Sequence, residues 1–320
     1  MTLTLAIPSK GRLQEQAAEW FADAGLALKQ TSGARGYRAT LAGLPDIDVR
    51  LLSASEIAVS LVAGDVHLGI TGEDLIRETA PELTASVALI HALGFGYANV
   101  VVAVPQAWID ISTMADLDDV CAAFAHRHRR RLRIATKYLH LTRAFFAQAG
   151  ISDYRIVESA GATEGAPTAG SAEAIVDIMT TGATLAANGL KTLEDGTILE
   201  SQAQLAASLT ADWGADERGA ARALLVRLGA RERAKASHVL RVRLDKDAER
   251  KIAKAGVTML SHGGEEYSLL CPRERLMGAV AVLGAATVHD VDYVFDGADL
   301  LDEKLARSLQ GLGLSSPANS

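Results

Sequence analysis

Short apolar runs that end in small, glycine- or hydroxyl-rich turns and then pass into helical patterns recur along this chain, and they constrain its fold more than any other feature. Leu3, Leu5 and Ile7 alternate with smaller residues, and the Ser9-Lys10-Gly11 turn follows. A helix with Leu13, Trp20, Phe21 and Ala24 at helical spacing comes next, closed by Gly25. Ser53-Ala54-Ser55-Glu56 is a capping-box pattern opening a second helix that Gly64 ends, and Val66 to Thr71 reads as a strand running into the Gly72 turn. Val100 to Val104 reads as a buried strand stopped by Pro105. Arg133 to Ala135 is another, leading into the Thr136-Lys137-Tyr138 turn and a helix carrying Leu141, Phe145 and Phe146. Such a strand–helix–strand rhythm implies an α/β fold with a parallel sheet and ligand-binding turns at the carboxyl ends of its strands.

One of these turns carries the most chemistry. Asp177-Ile178-Met179-Thr180-Thr181-Gly182-Ala183-Thr184-Leu185, followed by Asn188-Gly189-Leu190, takes an apolar run into a hydroxyl-rich turn and a helix-competent segment. Successive backbone N–H groups and threonine hydroxyls around Gly182 can point into one concavity and hold a phosphate without a dedicated cation. Asp177, at the mouth of the turn, could accept hydrogen bonds from the hydroxyls of a sugar attached to that phosphate. The segment therefore reads as a ribose-phosphate site; the plainer reading is a simple connection, as Thr-Gly pairs after apolar runs often are. An unpaired carboxylate in an apolar run is costly, which favours the first reading for Asp177.

A length of 320 residues exceeds what one core fills, so two or three domains are expected. A net charge of −7 argues against generic nucleic-acid binding, which needs a basic face. His126-Arg127-His128-Arg129-Arg130-Arg131 is the one basic cluster; it reads as a solvated helix end or, alternatively, as a contact for a neighbouring subunit or a nucleotide phosphate. Cys121 and Cys271 have no paired spacing and no His/Cys ligand pattern, so neither a disulfide framework nor a metal site is expected. Residues 85–104 form the longest apolar run, but His91, Asn99 and two glycines interrupt it. It reads as two buried strands joined by a turn rather than a membrane span, and with no signal-peptide pattern at the N-terminus a cytoplasmic protein is expected.

Several blocks together resemble the ATP phosphoribosyltransferase family, which catalyses the first step of histidine biosynthesis. Ala6-Ile7-Pro8-Ser9-Lys10-Gly11-Arg12-Leu13 is similar to the family's opening strand and turn, and Gly69-Ile70-Thr71-Gly72-Glu73-Asp74 to its second substrate turn. Phe95-Gly96, Val102 to Pro105, Ala135-Thr136-Lys137-Tyr138 and Leu141-Thr142-Arg143 continue the pattern, and Asp177 to Leu185 resembles its phosphoribosyl-diphosphate loop. The likeness covers most of residues 1–205. It implies a bilobed core similar to periplasmic binding proteins, with lobe I over residues 1–90 and a return segment at 190–236, and lobe II over 91–189. Residues 200–236, alanine- and arginine-rich, read as helical. Beyond residue 237 the order of strand and helix signals is βαββαβ, that of a ferredoxin-like module, with its last strand at Val291 to Phe295. This resembles the regulatory domain of the family's long form, in which histidine binds and inhibits; an unrelated extension of generic fold is the other reading.

The resemblance also implies a reaction and a site. N1 of the adenine of ATP joins C1 of phosphoribosyl diphosphate, that centre inverts, and diphosphate leaves with magnesium. On the matching positions, Lys10, Glu164 and Asp177 are the expected catalytic residues. Lys10 and Arg12 would meet diphosphate or triphosphate oxygens, with Gly11 allowing close approach. Glu164 and Asp177 would bind the ribose hydroxyls and favour its developing positive charge. Thr180, Thr181, Gly182, Ala183 and Thr184 would cradle the 5-phosphate. Gly72 and Asp74 would line the nucleotide side, with Lys137, Tyr138 and Arg143 adding contacts from the second lobe. Three places depart from the family pattern: Ser53 to Ala58 at a helix start, His67 where an aspartate is usual, and Tyr97-Ala98-Asn99 in place of a basic–Cys–basic run. His67 reads as a partly buried strand residue rather than a base. Dimers or hexamers are expected. The rival readings are a short-form-like subunit needing a partner that resembles histidyl-tRNA synthetase, and a solute-binding protein of the same architecture.

Overall fold

The chain's structure, a computed structural model, describes residues 2–30, 37–80, 82–159, 161–245, 247–295 and 301–311. The first lobe opens with β1 (Leu3–Pro8), α1 (Gly11–Asp23), β2 (Leu28–Gln30), β3 (Arg38–Leu41) and β4 (Leu44–Leu52). It continues through α2 (Ala54–Ala63), β5 (Leu68–Gly72), α3 (Glu73–Thr79), α4 (Leu83–Ser86) and β6 (Val87–Ala92). The second lobe holds β7 (Asn99–Pro105), α5 (Met114–His128), β8 (Leu132–Thr136), α6 (Leu139–Gln148) and β9 (Tyr154–Glu158). A 3₁₀ turn at Thr163–Gly165, β10 (Ala174–Met179), α7 (Ala183–Ala187) and β11 (Leu190–Leu199) complete it. β12 (Ala203–Ser208) and α8 (Ala215–Ala236) belong to the first lobe again.

Sheet order in the first lobe is β2-β3-β4-β1-β5-β12-β6, and in the second β11-β7-β10-β8-β9. Neither is the all-parallel sheet that the strand–helix rhythm implies. β4, β1 and β5 are parallel, and so are β10, β8 and β9, but β12 runs against β5 and β7 against β10. The cause is the way the chain changes lobes. It leaves and re-enters each sheet at the carboxyl ends of the parallel strands, so the entering strands must run the other way. Lobe boundaries shift accordingly: Leu190–Leu199 pairs with β7 and stays in the second lobe, and the return begins only after it. Ala203–Ser208, which the alanine-rich composition reads as helix, is a strand with every residue buried. Central strands of an α/β sheet are covered on both faces, so they lose the polar alternation by which a strand is recognised.

Both faces of the first sheet are covered. Trp20, Phe21, Leu224, Leu225 and Leu228 from α1 and α8 pack on one side, and Ile57, Ala58 and Leu61 from α2 on the other. The capping box at Ser53 is formed, with Glu56 N–H donating to the Ser53 hydroxyl (3.3 Å) and Ser53 N–H to the Glu56 carboxylate (2.8 Å). α8 carries Asp216 and Glu217 in its first turn and Arg233 and Lys235 in its last, the arrangement the helix dipole favours. It is clasped to α1, since Trp20 Nε1–H donates to Glu232 (2.9 Å) and Lys235 pairs with Asp23 (2.8 Å). His67 is part of this frame. Its Nδ1 accepts the Thr4 N–H (3.1 Å) and Nε2 lies 3.0 Å from the Asp212 carbonyl, so the ring bridges two backbone segments.

The C-terminal unit comprises β13 (Ser237–Arg243), α9 (Ala248–Ala255), β14 (Thr258–Gly263), β15 (Glu266–Pro272), α10 (Leu276–Leu283) and β16 (Ala286–His289). Its order, β14-β15-β13-β16 with every pair antiparallel, is ferredoxin-like. Leu240, Val242, Leu269 and Cys271 pack beneath the two helices. The last strand is Ala286–His289, not Val291 to Phe295. Val294 is buried with Ala234 and Leu270, and its N–H donates to the Ala230 carbonyl of α8 (3.0 Å) instead of to a neighbouring strand. Helix α11 (Leu301–Gln310) leaves this unit altogether, burying Leu301, Leu305 and Leu309 in the core of the first lobe.

One carboxylate fixes the turn between α5 and β8. Glu173 accepts from Arg133 Nη2 (2.8 Å), Arg130 Nη2 (3.0 Å) and the Arg133 N–H (2.8 Å). Burial pushes its carboxyl up, but the hydrogen bonds and charge of Arg133 and Arg130 outweigh that and hold it at about 2, against an ordinary 4.5. A depressed carboxyl stabilises the fold at pH values above its unfolded pKa and ceases to do so as pH falls through the folded one. Stability measured by urea unfolding should therefore drop by roughly 1–3 kcal/mol between about pH 4.5 and pH 2 through this group, and Glu173→Gln should flatten that part of the profile.

Candidate active site

Two crossovers join the lobes, residues 93–98 outward and 200–202 back, and they bond to each other as a short ladder. Leu93 N–H donates to the Ala203 carbonyl, Ala203 N–H to Phe95 and Ala98 N–H to Ser201, each at 2.9 Å. Because both lie at the carboxyl ends of the parallel strands, those ends face one another across a cleft. Gly96 makes this close approach possible. It has φ +65°, and a Cβ there would sit 3.0 Å from Leu13 of α1 and 3.2 Å from Ala203.

On the second-lobe side, β10 delivers Asp177, and the turn after it has the shape the sequence suggests. Gly182 takes φ +79°, a left-handed conformation that suits glycine, and starts the five-residue α7. Thr180, Thr181, Ala183 and Thr184 are exposed. Thr180 Oγ1 donates to the Tyr97 carbonyl (3.3 Å), tying the turn to the outward crossover and so to α1. So short a helix has little dipole to offer; the turn offers backbone N–H groups and hydroxyls, the Ala183 N–H itself reaching Thr181 Oγ1 (3.5 Å).

Asp177, Lys137 and Glu164 gather at this end of the sheet. β8 and β10 are parallel, with Ile175 opposite Ala135, so Asp177 lies level with Lys137. Asp177 accepts the Ile178 N–H (2.8 Å). Burial pushes its carboxyl up and the nearby charge of Glu164 adds to that, while the Ile178 N–H and Lys137 oppose. Lys137 itself is exposed, with Nζ 4.9 Å from the Tyr138 ring centroid. The pair of carboxylates and one ammonium is thus a site that gains from receiving positive charge.

Across the cleft, Lys10, Gly11 and Arg12 are all exposed at the carboxyl end of β1. Gly11 has φ +76° and no heavy atom within 4 Å of a Cβ added to it, so open space lies in front of the backbone. Lys10 is extended as the cap of α1, without a side-chain capping bond.

Asp74, Tyr138 and Arg143 differ in setting from the exposed groups of the two turns. Asp74 and Tyr138 are buried and bonded to each other: the Tyr138 hydroxyl donates to Asp74 Oδ2 (2.6 Å) across the lobes. Ser201 from the return crossover donates to Asp74 Oδ1 (2.9 Å) and accepts the Asp74 N–H (3.0 Å). Burial, then the Asp74 charge, push the Tyr138 phenol far up, so it remains a donor. A buried carboxylate must be fully bonded, and Tyr138 and Ser201 supply that bonding here. Gly72 is explained by the same contact, because a Cβ there would collide with the Asp74 carboxylate. Arg143 lies beside Tyr154, at the amino end of β9, whereas the cleft is at the carboxyl end.

Ser201 and Glu78 escape sequence reasoning. Glu78 accepts the His140 N–H (2.9 Å) and the Leu141 N–H (3.0 Å), so α3 of one lobe caps α6 of the other. A serine in an alanine-rich stretch carries no signal of its own, and a glutamate capping a helix 60 residues away has no local pattern. Tyr138→Phe should leave the Asp74 carboxylate with one partner fewer in a buried setting; urea denaturation is expected to read a loss of roughly 1–3 kcal/mol, exceeding that of a Phe substitution at exposed Tyr97.

Comparison with known proteins adds to this geometry. The family model described as ATP phosphoribosyltransferase matches residues 53–229. The ATP phosphoribosyltransferase of Rhodopseudomonas palustris is 54% identical over 318 residues, covering 96% of this chain and 98% of that protein. That of Caulobacter vibrioides is 50% identical over 317 residues, covering 96% and 98%. Among solved structures, the ATP phosphoribosyl transferase (HisG:HisZ) complex from Thermotoga maritima has 25% identity and a TM-score of 0.49, covering 64% of this chain and 87% of that one.

Proposed function

The chain belongs to the ATP phosphoribosyltransferase family, and from that premise we propose how its cleft joins N1 of ATP to C1 of phosphoribosyl diphosphate in the first step of histidine biosynthesis. The observation that carries the proposal is the Asp177–Thr184 turn, open at the carboxyl end of one sheet and facing the open Lys10-Gly11 turn at the carboxyl end of the other.

Phosphoribosyl diphosphate lays its 5-phosphate in the turn, against the N–H groups near Gly182 and the hydroxyls of Thr180, Thr181 and Thr184. Its ribose hydroxyls donate to Asp177 and Glu164. Lys10, Arg12 and Lys137 face the diphosphate and triphosphate oxygens, and Gly11 lets the backbone come close. The leaving group is already activated and the nucleophile is a ring nitrogen, so no nucleophilic side chain is required. What accelerates the reaction is alignment of two polyanions and fixed charge. Two neighbouring carboxylates are stabilised when positive charge grows on the ribose ring, and the cationic side chains take up the charge that grows on diphosphate. Magnesium carried by the diphosphate would neutralise part of its charge and would need few protein ligands.

Histidine inhibition is assigned to the ferredoxin-like unit of residues 237–295, and the working form to a homo-oligomer in the cytoplasm; neither nucleic acid nor membrane is a partner. Among the described residues no helix is long and apolar enough to cross a membrane. Asp177→Asn is expected to lower kcat by about 10²-fold or more with a smaller change in KM. In wild type, kcat should fall on the acid side at a pH above the ordinary aspartate value of 3.8, because burial and Glu164 raise the Asp177 carboxyl. Glu164→Gln should move that limb to lower pH. Both profiles are read from the product's ultraviolet absorbance with ATP, phosphoribosyl diphosphate and magnesium. Histidine added to the same assay should suppress product formation by the purified chain alone; turnover unaffected by histidine would overturn the regulatory assignment, and turnover only with an added subunit would make the chain short-form-like.

A further inference from the structure

We propose that Arg131, Arg143 and Arg155 form an anion site for a phosphorylated small molecule, on the second lobe and away from the cleft. They come from three separate elements: the turn after α5, the helix α6 and the strand β9. All three are exposed, and they converge on a depression of about 470 Å³ that also receives Ser152 and Tyr154. That size falls within the range of roughly 300–1,000 Å³ usual for small-molecule pockets.

The charge there is poorly balanced. Arg131 meets Asp153 at 3.9 Å, while among the described residues Arg143 and Arg155 have no carboxylate within ion-pair distance. On a chain of net charge −7, three guanidinium groups around one concavity are a local excess that an anion would relieve. Guanidinium forks match phosphate oxygens bidentately, and the Ser152 and Tyr154 hydroxyls offer further donors. Arg143 is close enough to Tyr154 for its charge to act on the phenol.

Edge protection alone does not account for the arrangement. β9 is the edge strand of its sheet, and one arginine on it would discourage unwanted pairing. Arg131 and Arg143 lie off the strand and still point to the same depression. Nor does it belong to the cleft. Tyr154 pairs with Leu132 at the amino ends of β9 and β8, whereas Lys137 and Asp177 lie at the carboxyl ends, five residues or roughly 16 Å of strand away.

Diphosphate is the probe, as the smallest ligand with two phosphoryl groups. Equilibrium dialysis of the purified full chain against radiolabelled diphosphate counts sites per chain. Arg131→Ala/Arg155→Ala should bind one diphosphate fewer than wild type, with an unchanged KM for phosphoribosyl diphosphate as the check that fold and cleft persist. Arg155→Lys should keep the site and weaken it, by about tenfold, because the charge stays and the fork is lost. Equal stoichiometry in wild type and the double variant would overturn the proposal. So would a double variant whose only change is the sedimentation of the ligand-free chain, which would make the patch a contact with a second copy.

Discussion

The Asp74–Tyr138 hydrogen bond is what the rest of the molecule is arranged around. A carboxylate taken out of water is tolerated only when its oxygens are met, and here one partner comes from the other lobe and one from the returning crossover. Satisfying that single group fixes three pieces of chain at once: the start of α3, the turn after β8 and residue 201. Lys137 is the immediate neighbour of Tyr138, and Glu73 and Asp74 follow the strand whose neighbour β1 carries Lys10. The spacing between the two halves of the site is therefore set by a buried bond between the lobes.

Architecture and chemistry meet at the crossovers. Strands that enter each sheet from the cleft side run against their parallel neighbours, and that reversal leaves the carboxyl ends of the parallel strands pointing at one another. Open N–H groups near Gly182 and the open backbone at Gly11 lie on opposite walls. Asp177 and Glu164 place negative charge on the second-lobe wall, and burial together with the Glu164 charge raises the proton affinity of Asp177. That is the electrostatic setting in which a sugar carbon can become positive between two polyanions.

Much of this was legible in the sequence because the signals are local. The capping box at Ser53, the glycine turns at 11 and 182, and the strand-to-turn passage at Asp177 depend on neighbours a few residues apart, and each forms as read. The βαββαβ order beyond residue 237 was legible for the same reason, although its last strand falls earlier than Val291 because Val294 is captured by α8. Long-range pairing carries no such local signal. Asp74 and Tyr138 resemble substrate residues in type and position, yet their pairing at a separation of 64 residues turns both inward. Arg143 follows a recognisable block, but the helical turn it occupies aims it at the amino end of β9. β12 was hidden because a fully buried strand of alanines has the composition of a helix.

Helix α11 changes what the C-terminal unit can do. The unit is entered through α8, and the chain returns through α11, whose leucines are sunk in the first-lobe core beside α8. It is thus held to the same body at both ends, and also along α8, where Val294 N–H meets the Ala230 carbonyl and Arg231 meets Asp292. Any rotation of a module so mounted is shared with α8 and α11. Any such rotation bears on the end of α8, where Glu232 and Lys235 grip Trp20 and Asp23 of α1. α1 begins at Gly11, so torque applied at the far end of the chain has a rigid lever leading to the lip of the cleft.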